Sequence, residues 1–187
     1  QVIVTVEAAF EPVSLAEAKD YLRVTATDQD SVILSMIRAV RDFAENFTRR
    51  SLCTKTYSLR CTDFASTIRL PFPPLISVTS VRYYSSETTL STVDSSEYVV
   101  DSYLEPAQLY LKSGATWPSI VSSRAYPVEI NYVAGYAEKS CPYGLRMALL
   151  QLLGHYFENR EAVVTGTIST KIDLSAESLL WLHRIDL

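Results

Sequence analysis

A chain of 187 residues, 48% hydrophobic and 20% charged, has the balance of a folded protein, long enough for one domain with a substantial core and short for two. Its net charge of −4, with no run rich in Lys and Arg, argues against the clustered phosphate contacts that tight, sequence-independent DNA binding needs, although such a surface lets DNA pass. No apolar run approaches the roughly 20 residues of a membrane span and no basic stretch precedes an apolar signal core, so a soluble, unexported protein without a membrane partner is expected.

Residues 1–12 alternate weakly through Val2, Val4 and Val6 and end in Phe10-Glu-Pro12, the pattern of an extended arm. Ser14-Leu-Ala-Glu17 has the spacing of a capping box and predicts a short helix to about Leu22, burying Leu15, Ala18 and Leu22. After a polar break, Asp28 and Asp30 are candidate caps for a second helix, in which Ile33, Met36, Ile37, Val40, Ala44 and Phe47 share one face. On its other side Arg38/Asp42, Arg41/Glu45 and Glu45/Arg49 are spaced i, i+4 and read as a solvated face.

The period then changes to two. Tyr57, Leu59 and Cys61 predict a strand buried on one face. Leu70-Pro-Phe-Pro-Pro74 is expected to be a stiff surface or edge segment, because proline lacks the N–H of a ladder and fixes φ. Further strands are expected at 76–84, 97–101, 108–111 and, most clearly, 128–133, where Gly135 supplies a backbone angle that a side chain would resist.

A spine helix follows, with Ser140 or Cys141 as its cap and Pro142 in its first turn. Leu145, Ala148, Leu149, Leu152, Leu153 and Tyr156 recur at helical spacing. Met147, Leu150 and Phe157 widen the apolar surface beyond one stripe, so the domain itself, a neighbouring subunit, or both must cover it, and Arg160 stands where the helix leaves the core. Residues 162–170 form little core and are expected as a mobile loop, after which Ser175 caps a last helix carrying Leu179, Leu180, Leu182 and Ile185, with Trp181 on its flank. The order helix, helix, strands, helix, tail helix indicates an α+β fold with an antiparallel sheet. Residues 1–161 then make one domain, and 162–187 a loop with a C-terminal segment.

Chemistry is sparse. Cys53, Cys61 and Cys141 have the spacing of reduced, mostly buried thiols, and nothing local pairs them with His155 or His183. There is no paired-Cys or His-x-x-x-His motif, no calcium loop and, with 5 glycines, no phosphate loop, so no metal or cofactor is expected. The 12 tyrosines and 2 tryptophans suit interfaces and strands alike. Leu179-Leu-Trp-Leu182 reads either as a docking helix for a partner's groove or as an extra helix on its own domain. A small cytoplasmic enzyme using Cys141 or His155 is the alternative of another class.

Several landmarks in order carry a resemblance: Glu11-Pro-Val-Ser-Leu-Ala-Glu-Ala-Lys19, Ala44-Glu-Asn-Phe-Thr-Arg-Arg50, Leu70-Pro-Phe-Pro-Pro-Leu-Ile-Ser-Val-Thr-Ser-Val81, Trp117-Pro118, Tyr132-Val-Ala-Gly-Tyr136 and Tyr156-Phe-Glu-Asn-Arg-Glu161. Over residues 11 to 161 the chain resembles the head–tail connector (adaptor) family of long-tailed bacteriophages and gene transfer agents. The resemblance implies a structural virion protein, made in the bacterial cytoplasm, that forms a ring beneath the portal protein, a dodecamer by family expectation. Such a ring extends the DNA channel and is a platform for the next neck or tail protein. It would place Leu179, Leu180, Trp181, Leu182 and Ile185 at the portal, and it gives Met147, Leu150, Phe157 and Arg160 a role between subunits. A lower neck or tail-completion protein, out of reach of the portal, is the alternative within the same particle.

Overall fold

The computed structural model describes residues 1–159 and 174–185. By internal contacts the chain divides into two compact units, one from Gln1–Ala8 and Thr54–Tyr136, the other from Ala9–Cys53 and Ala137–Asp186.

The first unit is built of strands: β1 (Val2–Val6), β2 (Lys55–Cys61), β3 (Thr67–Leu70), β4 (Leu75–Tyr84), β5 (Leu90–Thr92), β6 (Tyr98–Asp101), β7 (Ala107–Leu111) and β8 (Val128–Ala134). They form a five-stranded sheet of order β1-β2-β8-β4-β5 and a three-stranded sheet of order β3-β7-β6, with every pairing antiparallel. β8 sits at the centre of the larger sheet because Val128, Ile130, Tyr132 and Ala134 alternate onto one buried face. Tyr132 stacks on Tyr57, Tyr57 stacks on Phe72, and the Tyr132 hydroxyl donates to the Pro71 carbonyl at 3.0 Å.

Two expectations change here. The segment 70–74 is no surface rim, since Leu70 and Pro73 are buried and Phe72 packs on Tyr57. β3 ends at Leu70 and the prolines carry the chain from the smaller sheet into β4 of the larger one. β3 and β5 went unread, although Ile68 and Leu70 of β3 alternate onto a buried face; β5, with three residues, is too short to display a period. Residues 2–6 of the arm lie on β2 as an edge strand. Gly135 does take φ +114°, and its N–H donates to the Pro74 carbonyl at 2.8 Å.

The second unit holds α1 (Leu15–Leu22), α2 (Asp30–Thr48), α3 (Tyr143–Glu158) and α4 (Leu174–Trp181). The capping box is present: Ser14 accepts from the Glu17 N–H while Glu17 accepts from the Ser14 N–H. Neither Asp28 nor Asp30 caps α2, whose cap position is Gln29 without a side-chain bond; Asp30 instead pairs with Lys19 of α1 at 2.6 Å. The flank expected to be solvated is so only in part, since Arg38 and Asp42 are exposed while the Arg41/Glu45 pair turns inward. Arg41 and Glu45 are buried, with Arg41 Nη1 donating to both oxygens of Glu11 at 2.9 and 3.0 Å and Glu45 Oε1 accepting from the Leu52 N–H at 2.9 Å. Burial works against the Arg41 charge, and the bonds from Asp42 and Glu11 more than offset it, holding the guanidinium protonated above its ordinary range.

α3 buries Leu145, Ala148, Leu149, Leu152 and Leu153, with Tyr156 half-buried. Pro142 is its cap residue and neither Ser140 nor Cys141 caps it; the Ser140 hydroxyl donates to the Ala137 carbonyl at 2.7 Å. α4 begins one residue before Ser175, so that hydroxyl lies inside the helix and donates to Gln151 of α3 at 3.1 Å rather than capping. The expected loop at 162–170 lies outside the described residues.

Candidate assembly surface

α4 is anchored and exposed at once. Ala176 and Leu180 are buried, and beyond the helix the Ile185 N–H donates to the Thr48 carbonyl at 2.9 Å, which ties the tail to the end of α2 and buries the Ile185 side chain. Arg50 Nε donates to the His183 carbonyl at 2.6 Å, and Gly144 lets the His183 ring approach α3, since a Cβ there would stand 3.2 Å from its Nε2. Burial, and then the Arg50 charge, hold the His183 ring below its ordinary pKa.

On the outer side Trp181 is 53% and Leu182 79% exposed. Trp181 is held edge-on to Phe47 at 5.5 Å, and the Arg184 guanidinium covers both rings, 4.6 Å from Trp181 and 5.5 Å from Phe47. Its Nε is buried without a hydrogen-bond partner among the described residues. The five C-terminal candidates therefore separate: Leu180 and Ile185 lie in the core, Leu179 is half-buried, and Trp181 and Leu182 face outward. Sequence reading missed Phe47 and Arg184 as parts of this cluster, although Arg184 follows Trp181 by three residues and Phe47 had been placed on the inner face of α2.

A second surface runs along α3. Met147 is exposed, Leu150 and Phe157 are half-buried, and Arg160 lies outside the described residues. Tyr143, 85% exposed and not singled out beforehand, extends that line, since positions 143, 147, 150 and 157 share one helical face. Near Phe157 the face deepens into an open groove of about 500 Å³, lined among others by Tyr21, Gly154 and His155; a Cβ at Gly154 would meet the Tyr21 ring at 3.2 Å.

Among the described residues no cysteine is hydrogen-bonded to a histidine. Burial pushes the Cys53 and Cys141 thiols up to about 12 and raises Cys61 as well, so each stays protonated and weakly nucleophilic. His155 contacts Asn159, the C-cap of its own helix, rather than a cysteine. No group of three or more potential metal ligands, and no helix long and apolar enough to cross a membrane, occurs among the described residues.

A family model described as head completion protein matches residues 11–172. The chain belongs to the head completion protein family. This is a family of structural virion proteins and not of enzymes. Solved structures agree with this head completion fold. The chain is similar to one from the neck of an empty gene transfer agent particle computed with C6 symmetry (TM-score 0.80, 22% identity) and to one from the virion of a native gene transfer agent particle (TM-score 0.82, 21% identity). It is similar also to one from the neck of a native particle computed with C12 symmetry (TM-score 0.76, 22% identity); each match covers 100% of this chain and 96% of the other. Comparison with curated proteins returns no match.

Proposed function

We propose that this head completion protein is a head–tail connector: a ring of copies beneath the portal that extends the DNA channel and offers a platform to the next neck or tail protein. The observation that carries the portal contact is the two-sidedness of the C-terminal helix. Its inner residues are held by the helical unit, while Trp181 and Leu182 stand outside on a rigid base. An aromatic ring already held by Phe47 and Arg184 costs little entropy on docking, which is what an anchor residue requires. Residues 1–161 act as the ring-building body and 162–187 as the docking segment. Between subunits the α3 face with Met147, Leu150 and Phe157 serves as a lateral contact, joined by Arg160. Twelve copies is the stoichiometry favoured by the C12 symmetry used for a neck with a chain of similar fold. The net charge of −4 suits a wall past which DNA slides without being held.

The test is to mix the purified chain with the portal protein of the same particle and weigh the product by native mass. One chain per portal subunit is expected, with Trp181→Ala plus Leu182→Ser weakening that binding about tenfold or more, as for loss of an anchor pair. Binding to a tail component and none to the portal would sink the portal contact and leave a lower neck position.

A further inference from the structure

The first unit carries two features of opposite charge that the preceding reading leaves unused. Residues 83–111 include Glu87, Asp94, Glu97, Asp101 and Glu105 and no Lys, Arg or His. At the tip of the β6–β7 hairpin, within this acidic stretch, Tyr103 is 98% exposed and Leu104 is also exposed, between Asp101 and Glu105. The tip is structured, since the Tyr103 N–H donates to Asp101 Oδ1 at 3.0 Å.

The basic counterpart is an open pocket of about 310 Å³ lined by Arg60, Tyr84, Arg124, Tyr126 and Glu129, among others. Glu129 is engaged by Arg82, and the Glu87 carboxylate nearby accepts from Ser123. Arg124 lies over the Tyr84 ring at 3.7 Å and gives one N–H to the Glu87 carbonyl at 3.0 Å. The exposed Arg60 guanidinium has no partner among the described residues. The pocket thus presents a free guanidinium, a second one flattened on a tyrosine, and two aromatic walls, suited to a tyrosine flanked by carboxylates.

Tip and pocket cannot meet within one copy. Asp101 pairs with Gln108 next to the Leu70–Ala107 pair, and from Leu70 the chain crosses through residues 71–74 into Leu75 at the start of β4. Tyr84 of the pocket is at the far end of that ten-residue strand, about 30 Å away at the usual rise per residue.

We infer that the hairpin tip of one copy enters the Arg60–Arg124 pocket of the next, in a head-to-tail contact that rests on the ring reading. Asp101 faces the Arg60 guanidinium, and the Tyr103 ring lies beside Tyr126 against the Arg124 guanidinium stacked on Tyr84. Because the two surfaces differ, the contact is heterologous and repeats from copy to copy until the ring closes. The charged pairs set register and speed of encounter, and the aromatic contact slows release.

Cysteine cross-linking of the full chain, on the portal under conditions where native mass shows wild-type rings, tests this. Tyr103→Cys and Tyr126→Cys in one chain are expected to yield a ladder of covalent oligomers on oxidation. The two single variants mixed should stop at dimers, and each alone should give none. In parallel, Arg60→Glu should weaken assembly about tenfold or more, and Arg60→Glu with Asp101→Arg should recover most of it; thermal melts show whether each variant is folded. Intact rings by native mass without a ladder, or with Arg60→Glu assembling like wild type, would overturn this contact and leave the ring reading standing. A wild-type chain that remains monomeric with and without portal would remove both.

Discussion

The interiors of the two units are held in different ways. The strand unit has an apolar and aromatic centre, in which Val81, Leu109, Val128 and Ile130 are fully buried and the Tyr132 hydroxyl finds a single carbonyl. The helical unit combines an aliphatic core along α3 with an ionic framework in which the buried Arg41 is held by the half-buried Glu11 and the exposed Asp42, and with the Glu45 bond to the Leu52 N–H. An apolar interior tolerates exchange of one hydrophobe for another of similar volume. A charged one specifies partners by number and loses more when one partner is removed, because the other is left desolvated.

That contrast can be broken in a graded series. The largest effect is expected from Leu152→Ala, which opens a cavity in the helical core and should cost about 2–5 kcal/mol in urea unfolding without a change of slope. Glu11→Ala removes two charge-assisted bonds from Arg41 and should cost about 1.5–3 kcal/mol, so equal stability of this variant and wild type would show that the ionic framework contributes nothing. Tyr132→Phe removes one neutral bond from the strand unit and should cost about 0.5–1.5 kcal/mol. Trp181→Ala, which removes the edge-on contact with Phe47, should cost about 0.5–1.5 kcal/mol and Leu182→Ser about 0.5 kcal/mol or less, while both weaken portal binding; a larger loss of stability would make these residues part of the core.

A smaller, pH-dependent effect sharpens the comparison further. The folded pKa of His183 lies below its unfolded value, so the unfolded chain binds the extra proton first. Its contribution to stability is complete above the ordinary value of 6.5 and is lost as pH falls from there through the lowered folded pKa. Melting temperature is expected to fall between pH 7.5 and pH 5.5, and His183→Gln should flatten that fall. Glu129 acts lower on the scale: burial pushes its pKa up, but the bond and charge of Arg82 prevail and lower it, so its share is lost only below the usual carboxylate range.

How legible these features were depends on how local they are. The capping box at Ser14 and Glu17, the inner face of α2 and the alternation of β8 each lie within a few consecutive residues, and all three appear where expected. Asp30 and Ser175 misled because cap chemistry competes with partners distant in sequence: Lys19 draws one side chain and Gln151 the other. The assembly surface was half legible, since the 179–182 cluster stood out while Phe47 and Arg184, which hold Trp181 in place, did not.

Periodicity and punctuation along the chain were enough for the element types and the α+β class, because those follow from short-range spacing. Folding alone assigned the roles of residues that share a pattern. It turned Arg41 and Glu45 inward, made 70–74 an interior crossover, and divided Leu180 and Ile185 from Trp181 and Leu182. A period states which residues lie on one face, and only the element packed against that face decides whether it meets protein or water.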